Sequence, residues 1–243
     1  MTDEAGYTLC SNNAEDFTCI KNSEDNLIIV DYDGEVIGEK LIIPAEINGV
    51  KVQTINKLNP VQGVKIVVIS SGIDEINNSF SEWHDLESIV IEDGLKKISA
   101  GFNYGTQVRN VILPNSVEEI GNYFFKSYDL SNGVELPSNM TTLNKCLAQT
   151  NLKNFIIPGH IKLVESGAFE NCTDLQVVYI SEGVETIQSD AFLDCSSLQA
   201  VSVPASLKNI SRGAIPEDIL WVVVAGSEAE AYAVKNNIKF GYQ

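Results

Sequence analysis

Histidine is nearly missing from this chain: 243 residues hold two, His84 and His160. His84 follows Trp83 in a loop, His160 sits in a turn after Pro158, and both are read as solvent-exposed loop residues. Also missing are a GxSxG elbow, an HExxH pair, a Walker phosphate loop and a GxGxxG fingerprint, so no catalytic machinery is expected. The Asp-rich repeat turn that binds calcium is absent too, and no cofactor or metal is expected. Basic residues are few, 16 Lys and Arg against 33 Asp and Glu, for a net charge of −17. Such a surface repels phosphate backbones and anionic membranes, which argues against nucleic acid as a partner. No run approaches the roughly 18 apolar residues that span a bilayer, so no membrane insertion is expected. Residues 1–4 are acidic and no apolar segment follows, so no signal peptide is expected either. The five cysteines (Cys10, Cys19, Cys146, Cys172 and Cys195) form no CxxC and fit no zinc spacing.

What the chain does have is repetition. Residues 175–197, LQVVYISEGVETIQSDAFLDCSS, are preceded by a related unit at Leu152 and followed by another at Leu198. Regular units start at Val64, Leu86, Val108, Ser131, Leu152, Leu175 and Leu198, spaced by 22, 22, 23, 21, 23 and 23 residues. An enlarged unit precedes them at residues 41–55, and a truncated one is read from Ile219. Apolar residues recur three, five, nine and twelve places after each start, as in Val178, Ile180, Val184 and Ile187. A phenylalanine follows at Phe80, Phe102, Phe125, Phe169 and Phe192.

Alternation with period two over the first six positions makes a short strand. A Pro or Gly turn and a second extended piece follow, and the Ala-Phe segment is expected as a short helical turn beneath. One coil cannot bury enough surface to stand alone, so the units must stack. Cys172 and Cys195 occupy the same position of successive units and are read as small core residues. Cys10 and Cys19 could pair in an oxidising compartment.

The ends read as caps. Residues 17–20 and 27–30 form a plausible hairpin that closes the open edge of the array. Residues 221–224 read as a last strand and 238–240 as a final short one, with a helix between them opened by a capping box of Ser227 and Glu230. The expected organisation is one continuous domain: residues 1–40 an irregular hairpin cap, 41–224 the array, and 225–243 a helix-containing cap.

The runs IIPGHIKLVESGAFENCTDL (156–175), VYISEGVETIQSDAFLDCSSL (178–198) and ILPNSVEEIGNYFF (112–125) resemble the BspA-like leucine-rich repeat family. The ending AGSEAEAYAVKNNIKF (225–240) and the opening NGVKVQTI (48–55) are similar to the way such arrays close and begin. The resemblance implies a curved leucine-rich-repeat solenoid: mainly β with short helical segments and a parallel sheet of about eight repeats. It also implies an extracellular or cell-surface protein engaged in adhesion or protein binding. Two units depart from the pattern: Ser131 opens a weak strand (Gly133, Val134, Glu135, Leu136) with Leu147 in place of Phe, and the Leu86 unit carries Phe102-Asn103-Tyr104-Gly105.

Outward positions separate the two strands of each coil. On the second piece they are polar, as in Asp74-Glu75, Lys96-Lys97, Glu118-Glu119 and Thr141-Thr142, a solvated face. On the first strand they are apolar: Ile66, Val68, Val90, Ile112, Ile156, Val177, Tyr179, Trp221 and Val223, with Ile42 at the start and Asn110 and Glu135 lending polarity. β-propensity alone favours such residues in strands. An exposed apolar strip is equally the mark of a partner-binding face, with Tyr179 and Trp221 as anchors. The expected function is therefore non-enzymatic recognition of a protein or glycan through the strand face. The alternative is a passive spacer or stalk within a larger surface protein.

Overall fold

A computed structural model describes residues 14–34, 36, 38–101, 108, 111–126 and 128–243. The expectations that fall on residues 1–13 (with Cys10), on Phe102 and residues 103–105, and on Asn110 lie outside these. The chain forms two compact units, Met1–Ile120 and Gly121–Gln243. Each is a stack of coils in a mainly β parallel solenoid, with a single α-helix near the C-terminus among the described residues. No helix among them is long and apolar enough to cross a membrane.

In the first unit a front ladder runs Lys40–Ile43, Ile66–Ile69, Ser88–Ile91, then a lone bridge from Val90 to Ile112. The back ladder runs Leu27–Tyr32, Val50–Asn56, Glu75–Ser79, Lys97–Gly101 and Glu119–Ile120, all parallel. Phe17–Lys21 pairs antiparallel with Leu27–Tyr32, so the expected hairpin does close the open edge of this ladder. Where the front strand shrinks to a bridge, Val111 and Leu113 are only partly buried, unlike their counterparts Ile89 and Ile91.

In the second unit the front ladder runs Asn154–Ile157, Val177–Ile180, Ala200–Val203, Leu220–Val223 and Phe240–Tyr242. Its back ladder joins Thr142–Leu143, Leu163–Val164, Thr186–Ile187 and Asn209–Ile210. The inward residues of the 175 unit, Leu175, Val178, Val184 and Ile187, are fully buried. Phe169 and Phe192 stack between coils with ring centroids 5.0 Å apart. The segments beneath are tight turns rather than the helical turns expected, apart from one 3-10 turn at Lys145–Leu147. The reason is local: Asn171, Asp190 and Asp194 adopt left-handed backbone (φ 57–58°), which stops a right-handed helix from propagating.

The thiols behave as core. Cys172 donates to the Leu147 carbonyl at 3.1 Å and Cys195 to that of Phe169 at 3.0 Å, one coil back in each case. Burial pushes Cys146 and Cys195 up to about 12, so neither thiol ionises at neutral pH. The polar back column is a solvated face crossed by ion pairs between coils, Lys51–Asp74 at 2.7 Å and Lys97–Glu119 at 3.1 Å.

The helix Glu228–Lys235 begins at Ser227, whose hydroxyl accepts the Glu230 N–H at 3.2 Å. The Glu230 carboxylate takes the Tyr242 hydroxyl and the Gly226 N–H, each at 2.5 Å, and these two donors hold it below the usual carboxylate range. It therefore bonds one residue before the N-cap, a variant of the expected box. Ser227→Ala should cost about 1 kcal/mol, read as a lower urea midpoint for the full chain.

Candidate functional site

Pairing register decides which side chains leave the core. In the second unit Asn154, Val177 and Ala200 align, as do Ile156, Tyr179 and Ser202. Their alternates Phe155, Val178 and Val201 point inward and are buried. Of the residues expected on the outward column, Ile156 is 62% exposed, Tyr179 52%, and Val177 half-buried. In the first unit Val90 is 48% and Ile112 85% exposed, while Ile42, Ile66 and Val68 are half-buried.

Trp221 and Val223 are a correction. Both are fully buried, because Trp221 pairs with Val201 and Val223 with Val203, the inward residues of the coil before. Counting the last unit from Ile219 placed it one residue out of register, and a one-residue slip exchanges the two faces of a strand. Leu220 and Val222 hold the outward positions instead. The Trp221 indole donates to the Pro216 carbonyl at 2.9 Å and stacks on Tyr232 with centroids 5.6 Å apart, so it fastens the terminal helix. It is a core residue of the cap.

A groove of about 700 Å³, which the repeat pattern does not predict, opens on this face, walled by 132–136 on one side and by Ile156, His160 and Tyr179 on the other. It opens where one strand fails to form. Gly133 aligns with Asn154, the first residue of the next strand, yet has φ +90°, outside the β region. Its N–H closes a turn onto the Leu130 carbonyl at 2.8 Å, so the turn consumes the start of the strand. Asp129 reinforces that turn, accepting Asn151 Nδ2 at 2.9 Å and the Ser131 N–H at 3.0 Å, contacts that hold its carboxyl down at about 2. The weak strand and the unit of only 21 residues were the available signals for this opening.

His160 is half-buried rather than exposed, and its Nε2 is buried without a hydrogen-bond partner. His84 is exposed as expected. Among the described residues no group of three His, Cys, Asp or Glu side chains could hold a metal ion. The groove offers Glu135 as its one carboxylate, beside Val134, Leu136, Ile156 and Tyr179.

Among solved structures, the leucine-rich repeat protein of T. pallidum is similar at 20% identity, over 96% of this chain and 98% of that one, with a TM-score of 0.49. A leucine-rich repeat protein from Bacteroides ovatus is 16% identical over 98% and 100% of the two chains, with a TM-score of 0.35. The pneumococcal vaccine antigen PcpA is 13% identical over 93% and 96%, with a TM-score of 0.29. No curated protein sequence matches. The BspA type leucine rich repeat region matches in 6 copies, over residues 59–175 and 96–217. With its repeats spanning that much of the sequence, the chain belongs to the BspA-type leucine-rich repeat family.

Proposed function

We propose that this chain is a non-enzymatic recognition module that binds a partner protein through the outward side chains of its front strands. The contact centres on Ile156, Val177 and Tyr179 in the second unit, and Ile66, Val68, Val90 and Ile112 offer a patch of the same kind in the first. One observation carries the reading. Of the eight large apolar side chains exposed among the described residues, five stand in the front ladders, and four of these (Val90, Ile112, Ile156 and Tyr179) share the outward column, while Tyr242 lies on the last strand. β-propensity favours branched and aromatic residues alike on strands; what singles out Tyr179 is that it lines a groove, where aromatic anchors dominate interface energetics. Membership of the repeat family supports a place outside the cell or on its surface, in adhesion or protein binding.

Tyr179→Ala and Ile156→Ala test this directly. Each should leave the melting temperature within about 1–2 °C, since solvent-facing truncations change stability by roughly 0.5 kcal/mol or less. Retention of host extracellular-matrix proteins on immobilised protein should fall by about tenfold or more for Tyr179→Ala, a loss of at least 1.4 kcal/mol. Protease treatment of the matrix fraction should abolish retention; loss on glycosidase treatment instead would identify a glycan ligand. Unchanged retention by both variants would refute the face assignment and leave the spacer reading.

A further inference from the structure

The strand Asn154–Ile157 is the first of its sheet and is paired on one side only, with Val177–Ile180. The Ile157 carbonyl accepts the Ser181 N–H at 3.0 Å on that side. Main-chain groups of successive strand residues point to opposite edges, so those of Asn154 and Ile156 point away from the sheet. They point toward the groove. Among the described residues no backbone hydrogen bond joins 132–136 to 153–157. The same two coils are joined on either side of this gap. Thr142–Leu143 pairs with Leu163–Val164, the Lys162 N–H reaches the Thr141 carbonyl at 2.7 Å, and the Leu130 N–H reaches Asn151 Oδ1 at 2.8 Å. The opening is therefore local to the front strand, and Gly133 is its cause.

An edge with free N–H and C=O groups is a template for another strand, and natural sheets blunt such edges with lysine, proline or a covering loop. Neither lysine nor proline lies within Asn154–Ile157 itself, where the exposed residues are Asn154 and Ile156; Lys153 and Pro158 flank it. We propose that the Asn154–Ile157 edge receives an extended segment of a partner protein by strand addition, with the segment lying in the groove as the next strand of the sheet. The proposal rests on the reading that this face binds a protein, and adds how it does so. Main-chain bonds would supply affinity and alternate side chains specificity. The walls set the chemistry of the segment. Val134, Ile156 and Tyr179 suit apolar residues at every second position. Glu135 is the only formal charge lining the groove, on a protein of net charge −17, and selects a lysine or arginine between them.

The probe is a capped synthetic peptide alternating valine with lysine and threonine, added to the full chain. Hydrogen exchange followed by NMR should show the Asn154 and Ile156 amides slowed by about tenfold or more. Methylating every second peptide nitrogen, which removes donors without altering side chains, should weaken binding by about tenfold. Glu135→Lys should reverse the preference between this peptide and one carrying glutamate for lysine. Absence of binding at millimolar peptide, indifference to N-methylation, or protection confined to other amides would each overturn strand addition. The face reading is separable from it: if Tyr179→Ala still abolishes matrix-protein retention while the peptide fails, the face binds by side chains alone. If Tyr179→Ala and Ile156→Ala both leave retention intact, the face reading falls with the proposal.

Discussion

Trp221→Ala is expected to destabilise the protein by about 3–5 kcal/mol, the range for truncating a buried tryptophan. At roughly 2–4 °C per kcal/mol for a chain of this length, the melting temperature should fall by about 10 °C. Three contacts are lost together: packing on Val201 and its neighbours in the penultimate coil, the stack on Tyr232, and the indole bond to the Pro216 carbonyl. The last loss leaves the half-buried Pro216 carbonyl without its indole donor, and the stack is one of the contacts that hold the helix on the final coil. A terminal coil without its cap exposes apolar faces meant for a neighbour, so the variant should also aggregate on heating. Differential scanning calorimetry of the full chain reads this. A shift within 2 °C would return Trp221 to the surface, contrary to its burial.

Gly183→Ala should be as damaging, for a different reason. Gly183 has φ +108°, a conformation that costs a residue with a Cβ about 1–2 kcal/mol. A Cβ there would also collide with the Gly159 carbonyl oxygen and lie 3.1 Å from its carbon, and backbone cannot swing aside as a side chain can. The turns of two coils would have to separate. That would disturb the Ser206 hydroxyl, which accepts the Gly183 N–H at 2.9 Å and donates to the Val184 carbonyl at 2.8 Å. Strain and displacement together suggest about 2–5 kcal/mol. Gly133→Ala supplies the control. Its φ is also positive, but nothing lies within 4 Å of the added Cβ, so only the conformational cost of about 1 kcal/mol remains. Urea midpoints for the two variants should differ clearly, and equal midpoints would mean that close stacking at the turn is not limiting.

Much of this architecture was legible in the sequence because the repeat writes the same constraint many times. Spacings of 21 to 23 residues and inward positions such as Val178, Ile180, Val184 and Ile187 specify a coil that must stack. The hairpin at the start and the helix at the end could be read from turn residues and from Ser227. What failed was what repetition does not average. Trp221 belongs to a shortened unit where the count slipped by one, and a single residue is enough to turn a strand inside out. The Ala-Phe segments looked helical, but aspartate and asparagine in left-handed backbone made them turns. A turn position after Pro158 predicts an exposed His160, whereas it is half-buried and lines the groove. The groove itself depends on one backbone angle at Gly133, which no pattern of apolar residues encodes. The outward apolar column at Ile156, Val177 and Tyr179 was legible, and its meaning as a contact face comes from exposure combined with the neighbouring opening.

The most direct test of that meaning is site-specific photocrosslinking. The reactive residue p-benzoylphenylalanine is placed at position 179 on the front face or, as control, at position 209, where exposed Asn209 lies on the back ladder. Both proteins are irradiated with extracellular-matrix proteins, with and without excess unlabelled wild-type chain. Adducts that form at position 179, disappear with competitor and are absent at position 209 are the predicted result. Adducts of equal yield at both positions, or at position 209 alone, would contradict the assignment of the front strands as the binding face.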